Sequence, residues 1–130
     1  MASQEEFIQS IQQGYTFNGT SILVGGAMLD ATSVANAQVK IPLKTLNRHG
    51  LIAGATGTGK TKTIQTLSEK LAENGVSVLM MDIKGDFSGV AEPGVANQKI
   101  TDRTTAIGTT WTPKAFPMAV VLSEIGRAHV

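Results

Sequence analysis

Apolar and polar positions follow different periods along this chain, and the changes of period divide it. Ser3 and Glu6 fit a capping box, and Phe7, Ile8 and Ile11 form one apolar face behind it, a helix that Gly14 is placed to end. Such a helix lies on its own domain; a free recognition helix is the alternative. Tyr15-Thr16-Phe17 and Ser21-Ile22-Leu23-Val24 flank Asn18-Gly19, a good hairpin signal, and Gly25-Gly26 punctuates the second of these runs. Asp30 to Ala37 is small and polar and reads as a loop. Val39-Lys40-Ile41-Pro42-Leu43 alternates like a strand, which Pro42 makes an edge. Residues 15–43 therefore predict a small β element.

Beyond residue 50 the pattern changes. Leu51-Ile52-Ala53 is a short apolar run that reads as a buried strand. Thr63 to Asn74 reads as a helix, with Ile64, Leu67 and Leu71 on one stripe and Gly75 at the position just past its end. Val76-Ser77-Val78-Leu79-Met80-Met81-Asp82 is nearly continuous in apolar character, as a parallel strand covered on both faces would be. A helix between two such strands is a βαβ crossover. Ser88 to Gly94 reads as a loop, and Asn97 to Ile107 as a short helix closed by Gly108. Trp111, Pro113, Phe116 and Pro117 make a rigid stretch in which Trp111 is read as packing, and Met118 to Leu122 reads as a third strand. Three strands are fewer than a doubly wound sheet has, so the sheet is expected to be incomplete.

Composition narrows the classes. The chain has 130 residues, net charge +1 and 42% hydrophobic residues, which suits one domain or part of one. With no cysteine, disulfides and zinc-thiolate sites are excluded, and a cytoplasmic location is expected. The polar, acidic start carries no signal region, and no apolar run approaches the ~20 residues of a membrane span. Basic residues are scattered from Lys40 to Arg127 without a run, so charge alone gives no nucleic-acid footprint.

The chemistry concentrates in Gly54-Ala55-Thr56-Gly57-Thr58-Gly59-Lys60-Thr61, which fits the phosphate-binding pattern G-x-x-x-x-G-K-[ST]. Its setting between an apolar run and a helix separates it from an ordinary glycine-rich turn. A loop wrapped round a phosphate needs residues that tolerate unusual dihedrals and close backbone approach. The backbone N–H groups of Gly57 to Thr61 would converge on the β-phosphate, helped by the positive end of the following helix. Lys60 would reach the β- and γ-phosphate oxygens, and the Thr61 hydroxyl would ligate Mg²⁺. Thr56 and Thr58 read as spacers. Lys62 is either an α-phosphate contact or a solvated lysine.

Asp82 falls where a parallel strand should end, the edge at which ligands bind, and Asp86 follows it. Either carboxylate suits a Mg²⁺-bound water or an attacking water; either also suits a turn. Lys84 lies between them. His49 has no histidine or cysteine neighbours in the sequence and reads as structural. No other strand ends in an acidic residue.

Asn47-Arg48-His49-Gly50-Leu51-Ile52-Ala53-Gly54-Ala55-Thr56-Gly57-Thr58-Gly59-Lys60-Thr61, taken with Asp82-Ile83-Lys84-Gly85-Asp86-Phe87-Ser88-Gly89, resembles the HerA-like ATPases, in the HerA–FtsK group of P-loop motors. The match is to the amino-terminal part of the helicase HerA-like C-terminal domain family. The resemblance covers about Ile22 to Pro117 and is specific in the two quoted stretches. It implies an α/β, RecA-like P-loop NTPase fold with a parallel sheet, here incomplete and preceded by a β-rich leader. It also implies ATP and Mg²⁺ as cofactors, a homo-hexameric ring, and DNA translocation or end processing by the full-length protein. Lys60 and Thr61 carry over as the phosphate and Mg²⁺ residues, and Asp82 as the acidic position after the P-loop helix, with catalytic and metal roles. The family's Walker B Asp-Glu, polar sensor and arginine finger have no counterpart in these residues, so the chain alone is expected to bind ATP without multiple turnover.

On this reading residues 1–46 are an N-terminal helix and β-rich leader, 47–123 the amino-terminal part of a P-loop ATPase domain, and 124–130 a non-native tail. Glu124 to Val130 can be encoded by GAG ATC GGA AGA GCA CAC GTC, the start of a common sequencing adapter read in frame. The native sequence is then expected to stop near Ser123 or Glu124, leaving Arg127 and His129 without functional weight. Two other functions stay open: a P-loop small-molecule kinase, with Asp82 and Asp86 near its acceptor, and a nucleotide-binding module without catalysis.

Overall fold

A computed structural model of the chain describes residues 3–82 and 86–119. The first helix, α1 (Gln4–Gly14), begins as the sequence predicts. The Ser3 side chain accepts from the Glu6 N–H at 3.2 Å, and Glu6 Oε2 accepts from the Ser3 N–H at 2.7 Å. Those reciprocal bonds satisfy two of the donors that every helix start leaves open.

The hairpin is displaced from its predicted place. Strands β1 (Ser21–Leu29) and β2 (Thr32–Pro42) pair antiparallel, from Ser21 opposite Pro42 to Leu29 opposite Thr32. The turn is Asp30-Ala31, both at positive φ (48° and 61°), the two-residue geometry whose twist matches that of paired strands. Tyr15-Thr16-Phe17 is instead the exit of α1. Tyr15 caps it by donating its N–H to the Ile11 carbonyl, the Thr16 hydroxyl donates to the Gln12 carbonyl at 2.6 Å, and the Tyr15 and Phe17 rings meet edge to face. The stretch read as a loop from Asp30 to Ala37 mostly belongs to β2. It looks irregular in sequence because it is irregular in space. Pairing shifts register between Gly26 and Met28, and Asn36 sits at φ 70°, so β2 bulges there.

This hairpin carries the core, with Ile22, Val34 and Ala37 buried. Each described helix packs on it: α1 on both strands, α2 (Lys60–Glu73) on β1, and α3 (Gln98–Ala106) on β2. The Gln12 amide donates to the Asn36 carbonyl at the bulge, and Ile107 packs so close to Gly26 that a Cβ added there would sit 3.1 Å from it.

The helix ends follow the sequence closely. Asn97 caps α3 by accepting from the Ile100 N–H. At the far end of α2, Gly75 N–H bonds the Ala72 carbonyl and Val76 N–H the Leu71 carbonyl; Gly108 and Thr109 close α3 on Thr105 and Thr104 in the same way. A 3₁₀ turn, Ser88–Ala91, lies inside the predicted loop from 88 to 94. Trp111, read as packing, is exposed instead, with one edge of its ring where a Cβ on Gly94 would come within 3.0 Å.

The predicted parallel strands are not hydrogen-bonded as strands. Among the described residues the sheet is the two-stranded antiparallel one, and neither Leu51 to Ala53 nor Val76 to Asp82 joins a ladder. The reason is visible in exposure: Leu51, Leu79 and Met81 are 89%, 88% and 90% exposed, so the burial that stabilises a central strand is missing at these side chains. Of the predicted third strand, Met118 and Ala119 take no strand conformation; Val120 to Leu122 and the proposed tail lie outside the described residues. No helix among the described residues is long and apolar enough to cross a membrane.

Candidate functional site

The glycine-rich loop leads directly into α2. Gly59 occupies the N-cap of that helix at φ 94°, and Gly57 turns the loop at φ 81°, both in the left-handed region where a side chain is strained. Gly54 is required for a different reason. A Cβ there would lie 2.6 Å from the Thr58 hydroxyl oxygen, which is already engaged as a donor to the Ala55 carbonyl at 2.8 Å.

That carbonyl is the hub of the loop. It accepts from the Thr58 hydroxyl, from the Thr58 N–H at 3.4 Å, and from the Lys60 ammonium at 2.7 Å. Thr58, a spacer by sequence, is thus a structural member of the loop. Lys60 is half-buried and curls back over the turn, while Gly54 to Gly59 are exposed.

The start of α2 adds backbone donors next to the loop. A helix leaves the N–H groups of its first turn without intrahelical partners. Thr63 N–H is the first to close on the Gly59 carbonyl, at 2.9 Å, which places Lys60, Thr61 and Lys62 in that first turn. Thr61 is half-buried and Lys62 is exposed. Positive-φ glycines, a folded-back lysine and the free N–H groups of a helix start lie next to one another in the chain, a donor set whose chemistry fits a phosphate group with its Mg²⁺.

The acidic candidates sit on a separate turn. Asp82 is exposed, and its Oδ2 accepts from the Phe87 N–H at 2.8 Å. Asp86 is exposed, and its backbone carbonyl accepts from the Gln65 amide of α2 at 3.1 Å. Lys84 lies outside the described residues. His49 is exposed, and among the described residues no group of three or more His, Cys, Asp or Glu side chains could hold a metal ion.

Sequence periodicity predicted Ile64, Leu67 and Leu71 as the covered stripe of α2. These are half-buried, and the most buried positions are the polar Gln65 and Ser68. The Ser68 hydroxyl bonds the Ile64 carbonyl at 2.8 Å and the Met80 sulfur at 3.4 Å. Neither residue carries an apolar signal, so the period could not reveal them.

Two cavities lie away from the loop. One of about 400 Å³ sits between α1 and β2, beside Gln12, Tyr15 and Lys40. One of about 580 Å³ runs along the C-terminal half of α2, beside Glu69, Val78 and Phe116. In the second, burial raises the Glu69 carboxyl above its ordinary value, while a hydrogen bond from Lys70 (2.9 Å) holds Glu73 below it, with Lys114 adding charge at 3.7 Å. Neither cavity is lined by loop residues.

Comparison with known proteins converges on one family. Residues 28–128 match the helicase HerA-like C-terminal family. Among curated proteins, the chain is 45% identical over 53 residues to the DNA double-strand break repair helicase HerA of Sulfolobus acidocaldarius, covering 41% of this chain and 11% of that protein. It is 40% identical over 52 residues to the protein of the same name from Saccharolobus solfataricus, covering 40% and 10%. The match thus spans about a tenth of the length of these relatives. No solved structure matches the chain.

Proposed function

Because the chain belongs to the helicase HerA-like C-terminal family, we propose that it is the ATP-gripping segment of a DNA helicase or translocase. The observation that carries the reading is the loop itself: Gly57 and Gly59 at positive φ, opening into α2, with the Lys60 ammonium held 2.7 Å from a loop carbonyl. It is supported by relatives named as DNA double-strand break repair helicases.

In this role the N–H groups at the start of α2 bind the β-phosphate, and Lys60 leaves the Ala55 carbonyl to meet the β- and γ-phosphate oxygens. The Thr61 hydroxyl and Asp82 are the candidates to hold Mg²⁺, and Lys62 is available to the α-phosphate. Mg²⁺, when bound, would neutralise charge on the phosphate oxygens. Catalysis by the chain's own groups is positioning and charge stabilisation, mainly by Lys60. The parallel RecA-like sheet, the homo-hexameric ring, DNA as partner and a cytoplasmic location belong to the same proposal for the intact protein.

The test is an ATP titration by calorimetry with the wild-type chain and Lys60→Ala. Binding is expected to disappear in the variant; equal affinity in both would refute the phosphate-site assignment. For the intact protein, stimulation of ATP hydrolysis by DNA separates this reading from a small-molecule kinase, whose ADP release follows an acceptor instead.

A further inference from the structure

Gln65 is 8% exposed on the inner face of α2. Glutamine is a surface residue by preference, and a buried amide is costly unless its polar atoms are engaged. Its partner is remote in sequence: the Gln65 Nε2 donates to the Asp86 carbonyl at 3.1 Å, across 21 residues.

Two contacts place Met80 and Asp86 along α2. Met80 meets α2 at Ser68, and Asp86 meets it at Gln65. Asp86 therefore meets α2 nearer its start than Met80 does. Thr61, Gln65 and Ser68 stand at i, i+4 and i+7, on one stripe of α2. The next position up that stripe from Gln65 is therefore Thr61, in the phosphate loop's own helical turn. At the other end of the acidic stretch, the Phe87 N–H orients the Asp82 carboxylate at 2.8 Å. Gln65 thus fastens the neighbour of Phe87 to the helix that begins at the glycine loop.

We propose that Gln65 is a positioning residue: by holding the Asp86 carbonyl one turn from Thr61, it sets the Asp82 carboxylate for the Mg²⁺–nucleotide complex. This rests on the proposed function above. It predicts a specific signature, because a residue acting through Asp82 affects binding of nucleotide with the metal and not of nucleotide alone. Outer partners that orient metal-binding groups typically change metal affinity by about tenfold or more.

The experiment compares ATP affinity by calorimetry, with Mg²⁺ and with EDTA, for the wild type and for Gln65→Met, which keeps the length and removes the donor. About a tenfold loss with Mg²⁺ and none in EDTA is expected. Equal losses in both conditions, or no loss in either, overturn the proposal. In an Asp82→Asn background the effect of Gln65→Met should shrink; full additivity also overturns it. Should Gln65→Met not fold, the wild type carries the test through amide exchange at Phe87. Greater protection with Mg²⁺ and ATP than with ATP and EDTA supports the coupling, and equal protection refutes it. If Lys60→Ala abolishes ATP binding while these measurements fail, Gln65 is wrong and the phosphate site stands. If Lys60→Ala binds normally, the site itself is wrong.

Discussion

The Lys60 ammonium and the Ala55 carbonyl are hydrogen-bonded at 2.7 Å across the glycine loop. The bond holds the cation inside the cradle it would use for phosphate. A nucleotide therefore exchanges this neutral acceptor for a charged one, and bonds between ionised partners are roughly twice as strong as neutral ones.

The Thr58 hydroxyl shares the same carbonyl, so the side chain acts on the shape of the loop. Thr58→Val removes the hydroxyl donor at little change in volume. It is expected to weaken ATP binding less than Lys60→Ala does and to cost no more than about 1 kcal/mol of stability, since the bond is exposed. Calorimetry and urea melts on the same preparations check both parts.

Gly57 is the loop residue at which a methyl group acts through the backbone alone: no atom lies within 4 Å of its added Cβ, but φ is 81°. Gly57→Ala is expected to cost about 1–2 kcal/mol of local strain and to reduce ATP affinity accordingly. Gly54→Ala reaches a similar loss by contact, displacing the Thr58 hydroxyl from 2.6 Å. Combining Gly54→Ala with Thr58→Ala should restore part of that loss, whereas Gly57→Ala should gain nothing from Thr58→Ala.

At the hairpin turn the sign reverses. Ala31 is held at φ 61°, a conformation that glycine adopts freely. Ala31→Gly is expected to stabilise the chain by about 1 kcal/mol, visible as a higher melting temperature. A lower one would count against the Asp30-Ala31 turn.

Glu69 and Glu73 should respond to pH in opposite senses. Glu73 is lowered first by its hydrogen bond from Lys70, so its contribution exists above its unfolded value and is lost as pH falls through the lowered one. Glu69 is raised first by burial and then by Glu73. Its contribution is complete below its unfolded value of 4.5 and is lost as pH rises through the folded one. At neutral pH Glu69→Gln should raise the melting temperature and Glu73→Gln should lower it. Both differences should vanish in acid, where the carboxyls are protonated in folded and unfolded chains alike.

The single tryptophan makes one packing contact easy to follow. Gly94→Ala places a methyl group 3.0 Å from the Trp111 ring and is expected to move it, with a red shift of its fluorescence. An unchanged spectrum would place Trp111 elsewhere.

These residues also mark what the sequence could and could not convey. Caps and glycine positions were legible because they depend on local chemistry: Ser3 with Glu6, Gly75 and Gly108 fall where predicted, and Asn97, read as the first residue of a helix, is its cap. The hairpin was not, because Asn18-Gly19 carries the stronger local signal while the burial of Ile22, Val34 and Ala37 decides which segments pair. The bulge at Asn36 then hides the alternation that would have revealed β2. In the candidate site, spacing singles out Lys60 and Thr61. It does not single out Gln65, whose partner lies 21 residues away and which no pattern within its helix marks.

Leu51, Leu79 and Met81 stand in water on the two segments that flank α2. Any chain that pairs with either segment gains the burial of those side chains as well as backbone hydrogen bonds, so the two flanks of the helix are where added sheet would be most stabilised.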